Sequence, residues 1–321
     1  MSNQFTTDYP KPLDKLSEIE IKRKTCLAKV MTYTLSNLTS QFVINGFEWL
    51  LPVTLSQSTD PLWPDPGASI EKRIEIDIYG KTVRTTTSMI IHKLIAASLA
   101  YPKLFIISPN IRIEKAERAK TGLHIYEFNQ LDFEIRDASS KDVIKLVENT
   151  ITNLVTNLRK DMKKELTTLC TYDTIKIPKK PFKIYDRCDL EANYGETWEE
   201  EISEKSSDPI WITNIPREFY DFEDFDTGKW DNYDLFLPKY GEALSGAKRE
   251  WEYSKILKKI ERDNVNKENY KLVLQLSKKG KIKPTSGGGI GMERIVGWIS
   301  GAKHIAETQP FPRIPGRVHE L

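Results

Sequence analysis

The chain has 321 residues, 39% hydrophobic and 29% charged, with 48 Lys+Arg against 46 Asp+Glu for a net charge of +2. That is enough for a sizeable core in one large domain or two, and the near-neutral balance excludes a strongly basic nucleic-acid binder while leaving room for a local patch. Cys26, Cys170 and Cys188 form no Cys-x-x-Cys pair, which excludes a zinc knuckle or disulfide framework. No apolar run reaches the ~18–20 residues of a membrane span, and residues 1–4 start no signal peptide. The expected setting is a reduced cytoplasm.

Residues 1–13 are polar, carry two prolines and read as a loose arm before a single domain over 14–321. Leu27, Val30, Met31, Leu35, Leu38 and Phe42 recur at helical spacing, Gly46 is a stop, and residues 47–52 read as a short strand. Residues 56–69 form a loop, and Ile74, Ile76 and Ile78 alternate as a strand. A helix is expected over 88–100 and a short buried strand over 104–107. The flanks 111–114 and 124–135 alternate, predicting two antiparallel strands around a basic loop. A long helix spans 140–169, and residues 170–210 are irregular apart from an acidic helix near 196–204. Strands follow at 211–216 and 231–237, then a Lys-rich helical region over 251–280. Last, Gly287, Gly288, Gly289 and Gly291 crowd an expected turn, with a helix starting directly after it. Such a helix start suits an anion, and Arg294 lies in its first turn.

Several residues suit one chemistry. Arg112 can neutralise a phosphate as charge builds on it, and Phe128 can stack a purine. Asp234 and Glu242 are hard carboxylates suited to Mg²⁺, and Arg249 can grip a carboxylate bidentately.

In order, these pieces resemble the three signature motifs of class II aminoacyl-tRNA synthetases. The first is the helix, Asn45-Gly46-Phe47 and Pro52. The second is Arg112-x-Glu114, a loop, then Glu127-Phe128-x-Gln130-x-Asp132. The third is Gly289-Ile290-Gly291-Met292-Glu293-Arg294 with Pro310-Phe311-Pro312-Arg313. Asp234, Glu242 and Ser245-Gly246-x-x-Arg249 resemble the aspartyl/asparaginyl branch. The resemblance implies an α+β fold, a mainly antiparallel sheet flanked by helices, dimerising through the first motif. It implies ATP at Arg112, Glu114, His124, Phe128, Glu242, Gly291 and Arg294. It implies aspartate at Asp60, Ser88, His92, Gln130, Asp132, Gly246 and Arg249, and Mg²⁺ at Asp234, Glu242 and Ser245. Arg112, Arg249 and Arg294 would be the catalytic residues.

Two departures shape the expected function. The first-motif helix starts within thirty residues, leaving no room for the anticodon-reading barrel of that branch. Aspartyl enzymes also carry a lysine after a Gln-Ser-Pro-Gln segment, where this chain reads Thr86-Thr87-Ser88-Met89-Ile90-Ile91-His92, with His92 in the lysine's place. A pocket without that cation would bind aspartate turned round. On these grounds the chain resembles the archaeal asparagine synthetases related to aspartyl- and asparaginyl-tRNA synthetase. The implied reaction joins aspartate and ammonia through a β-aspartyl-adenylate, with ATP cleaved to AMP and pyrophosphate and no tRNA expected. The alternatives are a truncated synthetase paralogue that passes the activated amino acid to tRNA or another acceptor, and a non-enzymatic sensor.

Overall fold

The computed structural model describes residues 9–62 and 70–318. Residues 1–8 of the expected arm over 1–13, residues 63–69 of the expected loop, and residues 319–321 lie outside the described residues.

An eight-stranded sheet organises the chain. Its strands, numbered within the sheet in chain order, are β1 (Glu48–Leu50), β2 (Lys103–Ile111), β3 (Glu127–Arg136), β4 (Lys183–Asp186), β5 (Ile210–Thr213), β6 (Asn232–Leu237), β7 (Gly241–Lys248) and β8 (Thr285–Gly291). Their spatial order is β1-β2-β3-β8-β7-β6-β5-β4. The outermost pairs, β1 with β2 and β4 with β5, are parallel, and all pairs between them are antiparallel.

The helices, in chain order, are α1 (Glu18–Ile44), α2 (Ile90–Leu99), α3 (Ser140–Asp161), α4 (Lys163–Thr168), α5 (Arg187–Tyr194), α6 (Trp198–Lys205), α7 (Tyr253–Arg262), α8 (Lys271–Lys278) and α9 (Met292–Ser300). Capping boxes fix where the two longest begin. Glu20 accepts from the Ser17 amide at 2.7 Å, and Asp142 from the Ser139 amide at 2.9 Å. Each box satisfies amides that the first turn cannot pair. From α1, Leu27, Val30, Leu38 and Phe42 face inward. From α3, Val143, Val147, Ile151, Leu154 and Leu158 do the same. Both stripes meet Leu131 and Phe133 of β3 and Ile295 and Ile299 of α9 in the main core.

β3 alternates strictly. Leu131 and Phe133 enter that core, while Gln130, Asp132 and Glu134 point to the other face. The functional site is built on that second face.

Four expectations change. The glycine-rich segment is a buried central strand, β8, rather than a turn. Its glycines allow close approach: a Cβ on Gly289 would lie 2.8 Å from Asp132 Oδ1 and 3.0 Å from Gln130 Nε2. The expected short strands at 104–107 and 111–114 belong to one long strand, β2, and its two-residue continuation Ile113–Glu114. The 140–169 helix is interrupted at Met162. Residues 170–210 contain β4 and α5 as well as the acidic helix. Val43, Ile44, Trp49 and Leu51, around the end of α1 and β1, remain exposed.

Candidate active site

A cavity of 620 Å³ opens on the polar face of the sheet, lined among others by Arg112, Glu114, His124, Phe128, Gln130, Glu242, Gly291 and Arg294. Eight residues expected from the sequence thus meet at one place.

At its outer end two arginines, Arg112 and Arg294, are held by neutral oxygens. Arg112 Nε donates to the Thr87 carbonyl at 3.1 Å, and its guanidinium lies 5.2 Å from the Phe128 ring centroid. Arg294 donates to the Glu242 carbonyl and, at 2.5 Å, to the Leu123 carbonyl. Carbonyls position these guanidinium groups without cancelling their charge. His124 bonds Thr121 Oγ1 at 2.6 Å. Burial first, then the charges of Arg294 and Arg118, hold it well below the usual imidazole range. It is therefore a neutral ring beside two cations at physiological pH. Glu293 fixes the geometry from below, accepting the Asn129 amide at 3.0 Å and the Asn129 side chain at 2.9 Å.

Beneath the inner end lies a buried ion network. Lys93 Nζ meets Asp132 Oδ1 at 2.9 Å and the Gly288 carbonyl at 2.9 Å, with Glu134 at 3.8 Å. Ser108 Oγ donates to the other Asp132 oxygen at 2.6 Å. Arg249 pairs with Asp221 and, at 3.2 Å, with Glu134, and donates to the Gly287 carbonyl at 3.3 Å. Burial works against the Arg249 charge, yet Glu134 and Asp221 hold its pKa above the ordinary value. Behind them Lys259, itself buried, pairs with Glu250 at 3.3 Å and donates to the Asp221 carbonyl.

Lys93 corrects the sequence reading. Helix α2 begins at Ile90, and one residue turns the chain by about 100°. Position 93 therefore faces the sheet, while His92 turns aside and meets Ser56 Oγ at 3.0 Å. The cation thought lost is present one residue later. The turned-round substrate rested on that loss and falls with it.

The remaining expected residues are placed as follows. Asp60 is buried and its Oδ1 accepts the Leu62 amide at 2.8 Å. Ser88 Oγ accepts the Ile90 amide at the start of α2. Gly246 packs on the Tyr233 ring rather than facing the cavity. Asp234 stands opposite Ser245 in register, and Glu242 opposite Phe236, next but one along the strand. Arg217, missed in the sequence, pairs with Asp234 and lies 3.8 Å from Glu242. Burial and the Glu242 charge raise the Asp234 pKa, against the pull of Arg217. Among the described residues no three His, Cys, Asp or Glu gather to hold a metal. Yet buried Asp234 Oδ1 has no hydrogen-bond partner, and Mg²⁺ takes only one or two protein carboxylates when phosphates and water complete its shell. The pair fits an ATP-bound Mg²⁺. Lys93, Glu134 and Asp221 were also missed. The alternation of Gln130, Asp132 and Glu134 was the readable signal for Glu134.

A largely antiparallel sheet, with an arginine from β2's end and another from the helix after β8 facing one cavity, defines a class II synthetase-type catalytic domain. A family model described as tRNA synthetases class II (D, K and N) matches residues 71–315, and the chain belongs to that family. The chain is 27% identical over 258 residues to an asparagine–tRNA ligase of Thermoplasma acidophilum, covering 74% of this chain and 59% of that protein. The chain thus spans less than two thirds of that relative's length. Asparaginyl-tRNA synthetase of Pyrococcus horikoshii, solved with asparaginyl-adenylate, superposes with a TM-score of 0.81 at 23% identity, covering 98% of this chain and 77% of that one. The Entamoeba histolytica enzyme, also with asparaginyl-adenylate, gives 0.81 at 18% identity, covering 97% and 73%. At such identity these two likenesses establish the fold.

The comparisons correct two expectations. The relatives are asparagine–tRNA ligases, so the ammonia-using asparagine synthetase gives way to the tRNA-ligase alternative. The expectation of no tRNA partner is overturned on the same finding. No described helix is long and apolar enough to cross a membrane.

Proposed function

We propose that this chain is a ligase core that activates an amino acid of the aspartate/asparagine type with ATP and passes the acyl group to a tRNA end. One observation supports it most. Carbonyl-held Arg112 and Arg294 line one end of a single cavity, and a buried, carboxylate-balanced lysine–arginine pair lies behind the β8 glycines at the other.

In the proposed reaction a carboxylate oxygen of the amino acid attacks the α-phosphorus of ATP, pyrophosphate leaves, and an acyl-adenylate forms. Arg112 takes the charge that builds on the α-phosphate, Arg294 that of the outer phosphates, and Phe128 the adenine ring. Lys93 and Arg249, with Asp132 and Glu134, orient the amino acid's side chain. Two rigid ends hold the reacting atoms together, so the gain is chiefly positional. Asp234 and Glu242 would hold Mg²⁺, which supplies further charge neutralisation on the phosphates. Pairing of two chains through the exposed apolar end of α1 and β1 belongs to the same proposal.

The test is exchange of labelled pyrophosphate into ATP with aspartate and with asparagine, then acyl transfer with and without tRNA. Lys93→Met should cut exchange by about 100-fold or more, whereas His92→Ala should stay within about twofold. ATP turnover that runs to completion without tRNA, and ignores it when added, would overturn the acceptor.

A further inference from the structure

Glu218 has no assigned role above. It follows Arg217 after β5, lines the same cavity as Arg112, Gln130 and Gly289, and is only 7% exposed. Its carboxylate takes its own backbone amide and, among the described residues, accepts no hydrogen bond from another residue and joins no ion pair.

The charges around it explain why that is unusual. Arg217, Arg249 and Lys93 are already engaged: Arg217 with Asp234, Arg249 with Asp221 and Glu134, Lys93 with Asp132. Asp60, whose carboxylate has the Leu62 amide, is a second acid at this end without a cation among the described residues. Burial, followed by the Asp60 charge, pushes the Glu218 pKa well above the carboxylate range. A buried carboxylate is stable only when neutralised or paired. Here the open side is the cavity, so the missing partner is a cationic hydrogen-bond donor arriving from it.

We propose that Glu218 contacts substrate, its carboxylate receiving a protonated primary amine in the cavity with the Asp60 charge behind it. The inference rests on the amino-acid-activating reading. The amine has two possible sources, the α-ammonium of the amino acid or a separate small amine, and both offer the same N–H donors and single positive charge.

The experiment uses the full chain as wild type, Glu218→Gln and Glu218→Asp. It measures pyrophosphate exchange with aspartate and asparagine. In parallel, ammonium chloride is titrated calorimetrically into protein loaded with amino acid and a non-hydrolysable ATP analogue. If the amine is the amino acid's own, Glu218→Gln raises the amino-acid KM about 30-fold with the ATP KM within about twofold, since a charged hydrogen bond is lost. Glu218→Asp, keeping the charge, recovers part of that loss. If the amine is separate, the KM values hold. Ammonium then binds loaded wild type, and Glu218→Gln weakens it about tenfold or more. Unchanged KM values with identical heats in wild type and Glu218→Gln overturn the inference alone. Absence of wild-type exchange with either amino acid overturns the activation reading and the inference together.

Discussion

The two ends of the cavity solve opposite electrostatic problems. At the outer end Arg112 and Arg294 lean on carbonyl oxygens, so their positive charge stays available. Beneath the inner end Lys93 and Arg249 are balanced by Asp132, Glu134 and Asp221 in full burial. A polyphosphate arrives with large negative charge and meets free cations. An amino acid arrives as a zwitterion and meets a network already near neutrality, which can read hydrogen-bond pattern as well as charge. The difference lies in the positioning partners, carbonyls in one case and carboxylates in the other, and not in the choice of cation.

The sharpest way to break the comparison is to remove one arginine from each end and measure stability. Arg249→Leu strands Glu134 and Asp221 without their buried partner and should cost about 3–5 kcal/mol in urea unfolding. Arg294→Ala removes bonds to two carbonyls and the longer-range attraction of Glu242 but no direct ion pair, so its stability loss should stay near about 1–2 kcal/mol. Equal losses would mean that the ends are not built differently.

Activity should reverse the emphasis. Arg294→Ala should lower pyrophosphate exchange by about 10²–10³-fold, the usual effect of removing one preorganised donor from a developing anion. A loss below about tenfold would remove it from the phosphate site.

A third test uses His304, at the start of the short helix Ile305–Thr308 and near the outer end. Burial lowers its pKa from the usual 6.5 to about 4. Between those values the unfolded chain binds the proton and the folded chain does not. The contribution is therefore present above pH 6.5 and lost as pH falls to 4, by up to about 3 kcal/mol. His304→Gln should flatten that part of the stability profile, read by thermal unfolding from pH 7 to 4. An unchanged slope would place the acid sensitivity elsewhere.

The smallest expected effect belongs to Gly289→Ala. Its Cβ would press on Asp132 Oδ1 and Gln130 Nε2. The amino-acid KM should rise about tenfold with the ATP KM unmoved, because the outer end is untouched.

The outer end was legible in the sequence, while the inner end was largely hidden. Arg112, His124, Phe128 and Arg294 sit in short motifs whose spacing survives any local error. Lys93 was missed because helical phase depends on where the helix starts, and a one-residue error moves a side chain by about 100°. Glu134 and Asp221 were passed over because lone carboxylates are usually solvated; only folding shows that they are buried. The fold class was readable through the resemblance carried by the three motifs in order. The glycine strand was not, since glycines carry no hydrophobic periodicity and commonly mark turns. The short β4 and α5 were lost in polar sequence without a clear stripe.

Strand β8 lies at the middle of the sheet yet is the last of its strands in the chain. During synthesis β1–β3 and β4–β7 emerge long before it, each group presenting an unpaired strand edge toward the gap that β8 will fill. Until residue 291 has left the ribosome, Asp132 and Glu134 on one side and Arg249 on the other have no common wall. Completion of the sheet and assembly of the site are therefore one event, delayed until the last of the eight strands has emerged. A ribosome stalled before β8 would hold two open half-sheets, a natural substrate for chaperones that shield strand edges.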